Sequence, residues 1–160
     1  MTDLLTVPSS GGVPFEDGDD RGRVLVFGRD TGGAYSLMEY VVAAGTGSAG
    51  VADYGAHRHA GIEETFYVRA GSLRFLIGET IVDLAAGDFV RVPAGVRHGY
   101  VNVSGAPVEL LVSFIPGGFE ELFVRHRTDQ DPPPAGGGFM ADAIAEFGST
   151  FEAPEAARGD

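Results

Sequence analysis

Between Arg23 and Pro116 the chain is a succession of short apolar runs, each closed by Gly, Pro or Asp. The runs are Val24–Phe27, Tyr35–Ala43, Ile62–Val68, Leu73–Ile77, Thr80–Leu84, Phe89–Val92, Tyr100–Val103 and Val108–Ile115. They are too short, and glycine too frequent among them, for amphipathic helices. Many short apolar segments with turn residues between them predict strands of an all-β sandwich or barrel. Gly78-Glu79, lying between two such runs, predicts a hairpin turn.

The flanks read differently. Residues 1–22 are rich in Gly, Pro, Ser and Asp and are expected to form a loose N-terminal arm. After Pro116, Gly117 to Val124 has the pattern of a short amphipathic helix. Asp131 to Gly138 is a Pro/Gly linker in which no regular element survives. Met140, Ile144 and Phe147 then recur at helical spacing and predict a second small helix, with Glu152 to Asp160 fraying. The expected organisation is an arm (1–22), a barrel (23–116) and a helical C-terminal extension (117–160). No internal repeat is present.

Composition narrows the partners. The chain has 160 residues, with 23 acids against 11 bases, for a net charge of −12. A field of that sign repels phosphate backbones and anionic lipid heads, which argues against nucleic-acid and membrane partners. With no cysteine, disulfides and thiolate chemistry are excluded. All basic residues are arginine, so Schiff-base chemistry on lysine is excluded as well. No apolar run approaches the ~20 residues that span a bilayer. The N-terminus lacks the pattern of a secretory signal, so the expected location is the cytoplasm.

The chemistry lies in two patterns. His57-Arg58-His59 is followed by Glu64 and Gly71; Gly87 is followed by Pro93-Ala94-Gly95, His98 and Asn102. On extended backbone, residues two apart share a face, so His57 and His59 aim at one point. Of the adjacent acids, Glu64 shares its face with Phe66 and Val68, and Glu63 with Thr65, Tyr67 and Arg69; Glu64 is therefore the inward carboxylate. The Pro93-Ala94-Gly95 turn delivers His98 on a new strand, with Tyr100 and Asn102 on its face. Three imidazoles and one carboxylate converging inside a barrel would bind one divalent transition metal (Fe, Ni, Co, Mn, Cu or Zn), with positions left for substrate or dioxygen. Binding through neutral imidazoles should weaken below about pH 6. The bland alternative is a metal-free barrel that keeps these residues for packing. Glu64 is either ligand alone or ligand and catalytic base. Tyr35, Met38, Phe66, Phe75, Tyr100 and Phe114 either line a pocket for a flat ligand or are barrel core. His126, outside both patterns, reads as a surface histidine. Asp17, Asp19 and Asp20 lack the spacing of a calcium loop.

These two patterns, separated by Ser72 to Ala86, resemble the paired motifs of the cupin superfamily, over about Val24 to Pro116. The resemblance implies a double-stranded β-helix, a small jelly-roll barrel. It makes His57, His59, Glu64 and His98 the metal ligands. The motif departs in one place: Val51 stands where the family has glycine, with Gly50 one step earlier. Asp30 to Ala34, Glu64-Thr65-Phe66-Tyr67-Val68 and Pro116 to Glu121 resemble small single-domain bacterial cupins of the quercetin dioxygenase type. The activity so implied is a metal-dependent dioxygenase acting with dioxygen on a flavonol-like or other enolisable phenolic. On the same site, a non-oxidative isomerase, cyclase or decarboxylase is the second reading, and a binding module without turnover is the third. The family also implies a homodimer, with a strand such as Val24–Phe27 pairing across a two-fold axis.

Overall fold

The computed structural model describes residues 5–48, 54–127 and 138–152. The elements run β1 (Val13–Asp17), β2 (Asp20–Val26), β3 (Ser36–Val42), β4 (His57–Arg58), β5 (Glu63–Ala70), β6 (Ser72–Ile77), β7 (Thr80–Ala85), β8 (Phe89–Val92), β9 (His98–Val101), β10 (Val108–Ile115), α1 (Glu120–Arg125), α2 (Phe139–Phe147) and β11 (Thr150–Phe151). They form two antiparallel sheets, ordered β1-β2-β3-β10-β5-β8 and β11-β4-β9-β6-β7. The all-β architecture is the one the runs imply, and it is the double-stranded β-helix that the resemblance implies. Among the described residues no helix is long and apolar enough to cross a membrane.

The inward faces follow from alternation. Along β3, Ser36, Met38, Tyr40 and Val42 are buried; along β10, Val108, Leu110, Val112 and Phe114 are. Glu64, Phe66 and Val68 do the same on β5. Registers then bring the chemistry together. Glu64 lies beside Phe114 and Val92 in the first sheet, while His57 stands opposite His98 in the second. The Arg69, Arg74 and Arg91 side chains point outward, paired with Glu39, Asp83 and Glu63.

The N-terminal region departs from the loose arm expected for residues 1–22. Val13–Asp17 pairs with Asp20–Val26 in a hairpin, because Phe15 is an anchor that buries almost completely against Tyr40 and Phe123. Residues 1–4 lie outside the described residues. The hairpin also corrects the pairing suggested for Val24–Phe27. Both edges of β2 are taken, by β1 and β3, so β1 is the outer strand there.

The C-terminal helix forms where expected but on a different face. Met140 and Ile144 are 44% and 53% exposed, whereas Ala143 is fully buried and Phe139 and Phe147 pack on the core. The inward stripe is thus Phe139, Ala143 and Phe147, one turn apart each. His126 is not a surface histidine: its side chain is 5% exposed, and its Nε2 lies 2.7 Å from Asp142, which ties α1 to α2. Most of the Asp131–Gly138 linker, and residues 153–160, lie outside the described residues.

Candidate metal centre

His57 lies in β4 and His59 directly follows it. His98 opens β9, and Glu64 sits near the start of β5. One potential ligand atom from each of the four falls within 4.8 Å of the others, and the group is buried. The two motifs are tied directly, since Gly95 N–H donates to the His59 carbonyl at 2.7 Å. Gly95 makes that turn at φ +78°, a conformation that favours glycine. Gly99, after His98, has no room for a side chain: a Cβ would stand 2.2 Å from the Tyr54 carbonyl oxygen.

The imidazoles are oriented from behind. His57 Nδ1 donates to the Gly55 carbonyl at 2.8 Å, and His98 Nδ1 to the Val96 carbonyl at 2.9 Å. His59 Nδ1 meets Ser149 Oγ at 2.8 Å. Each Nε2 is thereby left for the centre of the group. Such outer contacts fix ring orientation at metal sites. His98 Nε2 is 2.9 Å from Glu64 Oε2, and His59 Nε2 is 3.6 Å from the same oxygen. Phe119 packs edge-on against His59, and Phe151 stacks on His57.

The acidities fit a charged but buried group. Burial pulls the His57 imidazole down, and His98 beside it adds to this, to about 4. Burial also pulls His98 down, but the Glu64 hydrogen bond and charge outweigh it, and the net shift is upward. Burial pushes Glu64 up, yet the contacts of His59 and His98 more than offset this and hold it well below the usual carboxylate range. Glu64 is therefore ionised at neutral pH. Neutral imidazole lone pairs and an ionised carboxylate, with every Nδ1 occupied elsewhere, form a donor set that fits a divalent cation.

His57, His59 and Glu64 open onto a cavity of about 110 Å³, with His98 beside Glu64. Of the aromatic and apolar residues read as pocket-lining, Phe66, Tyr100 and Phe114 line it. Three do not. Tyr35 precedes β3 on the outward face of the alternation and is 44% exposed. Met38 and Phe75 point inward but belong to the packed core; Phe75 stands behind Phe66 and Tyr100. The remaining wall comes from Tyr40 and Ser48 of the barrel, from Asp17 of the N-terminal hairpin, and from Phe119, Phe123, Phe139, Met140 and Phe151 on the C-terminal side. Asn102 takes no part in the cavity lining described. It is buried and donates to the carbonyls of Val42, Ala43 and Ala106.

Asp17 and Asp20 both accept from the Tyr40 hydroxyl, at 3.0 and 3.2 Å. Burial raises Asp17, and the Asp20 charge adds to it against the opposing Tyr40 bond. Folding thus favours the acid form. That contribution is complete below the unfolded value of 3.8 and is lost as pH rises through the higher folded value. Relative to Asp17→Asn, the wild-type protein should therefore lose thermal stability between pH 4.5 and pH 8. Melting curves at the two pH values test this, and a difference that does not change with pH would contradict it.

Residues 38–114 match the cupin domain family. No curated protein matches the chain. Among solved structures, it is similar to a protein from Thermotoga maritima described as a predicted oxalate decarboxylase, at 22% identity and a TM-score of 0.61, over 70% of this chain and 99% of that one. It is similar to the polyketide cyclase RemF from Streptomyces resistomycificus at 21% identity and a TM-score of 0.58, over 71% and 80%. An RmlC-like cupin from Shewanella frigidimarina aligns at 22% identity and a TM-score of 0.57, over 73% and 96%. At these identities the likeness bears on the fold.

Proposed function

The chain is a small member of the cupin superfamily, and from that premise we propose that it is a metal-dependent enzyme acting on an enolisable phenolic small molecule. Oxidation by dioxygen, in the manner of a quercetin dioxygenase, is the reaction proposed. The observation that carries the reading is the convergence of His57, His59, Glu64 and His98, three of which, His57, His59 and Glu64, line an aromatic-walled cavity. That position serves a flat ligand which meets the cation through an oxygen. An engineered apolar cavity of about 150 Å³ holds benzene. At about 110 Å³ the present cavity is somewhat smaller, so it encloses at most one ring.

A divalent ion held by the four side chains would supply Lewis acidity to a substrate oxygen. The protein's own groups do the rest. Glu64, ionised and buried, accepts the proton of an enolic hydroxyl brought beside it. Phe66, Phe114, Phe119 and Phe151 exclude water and hold the ring. Tyr100, its hydroxyl made less acidic chiefly by burial, stays protonated as a hydrogen-bond donor on the same wall. The Thermotoga and Streptomyces proteins are described as a predicted oxalate decarboxylase and a polyketide cyclase, which supports a non-oxidative reaction as the second reading.

Two measurements test the reading. Adding Fe(II), Mn(II), Co(II), Ni(II) or Zn(II) to chelator-treated protein should raise the melting temperature for at least one ion. At a hundredfold excess over Kd the gain is about 2.7 kcal/mol, or roughly 5–10 °C for a chain of this size. No shift with any ion would remove the metal reading. Oxygen uptake by the loaded protein with catechols, flavonols and cyclic β-diketones should then be lost in His98→Ala. Turnover of the same compounds without oxygen would replace the oxidative assignment with an isomerase, cyclase or decarboxylase.

A further inference from the structure

Two of the three imidazoles are oriented locally. Gly55 and Val96 each lie two residues before the histidine they serve, and each offers a carbonyl. A carbonyl only accepts, so Nδ1 must carry a proton in both, and in the neutral ring Nε2 is the bare nitrogen. His59 is different. Its Nδ1 partner is the hydroxyl of Ser149, 90 residues further along the chain and 1% exposed. A hydroxyl both donates and accepts. In one arrangement His59 Nδ1–H donates to Ser149 and Nε2 is bare. In the other Ser149 donates to Nδ1, and the proton sits on Nε2, facing Glu64.

The surrounding backbone fixes the serine. α2 ends at Gly148, and Ser149 N–H donates to the Ala143 carbonyl at 3.1 Å. The next two residues form β11, which pairs on β4 with Thr150 opposite Arg58 and Phe151 opposite His57. The Phe151 ring then stacks on His57 at 5.5 Å and 22°. Helix on one side and strand on the other hold the hydroxyl against the imidazole.

Resting on the metal reading above, we infer that the C-terminal segment is part of the metal centre, with Ser149 the positioning residue that lets His59 present a bare Nε2 to a cation. Without the hydroxyl, the cation-competent arrangement buries a Nδ1–H that has no acceptor. Deletion of such an outer partner typically costs about 10–100-fold in metal affinity. Barrel motifs alone do not then define the site, since a residue beyond the barrel sets one of its ligands.

The test uses the full chain and the variants Ser149→Ala, Ser149→Thr and Ser149→Val. Affinities for Ni(II) and Zn(II) are read by competition with a chromophoric chelator. Ring ¹⁵N resonances are read from long-range ¹H–¹⁵N spectra of the metal-free proteins. Ser149→Ala is expected to bind both ions about 10–100-fold more weakly, and Ser149→Thr to stay near wild type. In Ser149→Ala the His59 nitrogens should shift while those of His57 and His98 hold. Thr and Val have nearly the same shape, so that pair isolates the hydroxyl even if alanine loosens the tail. Unchanged affinity in Ser149→Ala and Ser149→Val, or an unmoved His59 signal, overturns the inference. A wild-type protein that binds neither ion defeats the metal reading instead, and the spectra still decide whether Ser149 governs His59.

Discussion

Replacing His98 with alanine should remove metal binding and destabilise the protein even before any metal is added. The two effects have separate causes. Structural zinc in small finger peptides draws roughly 10–16 kcal/mol from four ligands, and on that scale one ligand in four is worth about 3 kcal/mol, on the order of 100-fold in affinity. The second effect comes from Glu64. Its Oε2 stands 2.9 Å from His98 Nε2, and its side chain is 8% exposed. Truncating His98 leaves a buried carboxylate without its nearest partner, a change that costs about 3–5 kcal/mol where it has been measured. The melting temperature of the metal-free variant should fall by about 6–20 °C on the usual scaling for chains of this length. Glu64→Gln separates the effects: it removes the charge and so relieves the burial penalty, while still weakening the metal. A His98→Ala protein that kept wild-type affinity would show that the cation, if bound, sits elsewhere.

The metal group was legible because its information is local. Spacings of two residues, an alternating strand and a turn before a histidine are short-range signals, and the choice of Glu64 over Glu63 needed only the strand period. In the structure Glu64 is buried while Glu63 pairs with Arg91 on the outer face. The cavity was less legible. Alternation tells inward from outward, which disposes of Tyr35, but it does not tell which inward layer meets open space. Met38 and Phe75 are inward and packed, whereas Phe66 and Tyr100 meet the cavity. Least legible were the flanks. Asp17, Phe119, Ser149 and Phe151 reach the site through tertiary packing across most of the chain length, and no spacing records that. In α2 the apolar residues surround more than one face, so Met140 and Ile144 matched the helical period as well as the true inward stripe did.

Glu120→Ala should be among the most destabilising changes in the molecule, although Glu120 is itself neither a candidate ligand nor a cavity-lining residue. It has no exposed surface. One carboxylate oxygen accepts from Gly28 N–H and the other from Gly118 N–H, each at 2.6 Å. The two backbone segments it joins are in close contact, since a Cβ on Gly117 would lie 2.6 Å from the Gly28 Cα. The Gly28 bond is buried and the Gly118 bond partly so, which limits what solvent can replace. Hydrogen bonds to a charged group contribute about 1.5–3 kcal/mol each, and a buried N–H left without a partner costs about 1–3 kcal/mol. Two such losses come to about 3–6 kcal/mol, a drop of roughly 6–24 °C in melting temperature. Glu120→Gln is expected to fall between, because its amide keeps one acceptor and sets a donor against the other N–H. The effect should also reach the metal centre. Phe119 precedes Glu120 and packs at 4.5 Å on His59, so loosening the start of α1 loosens the wall behind a ligand. Metal affinity measured well below the lowered melting temperature should therefore be weaker than wild type. If the variant melts within about 1 °C of wild type, less than the shift from 1 kcal/mol, the clasp is not what holds this corner.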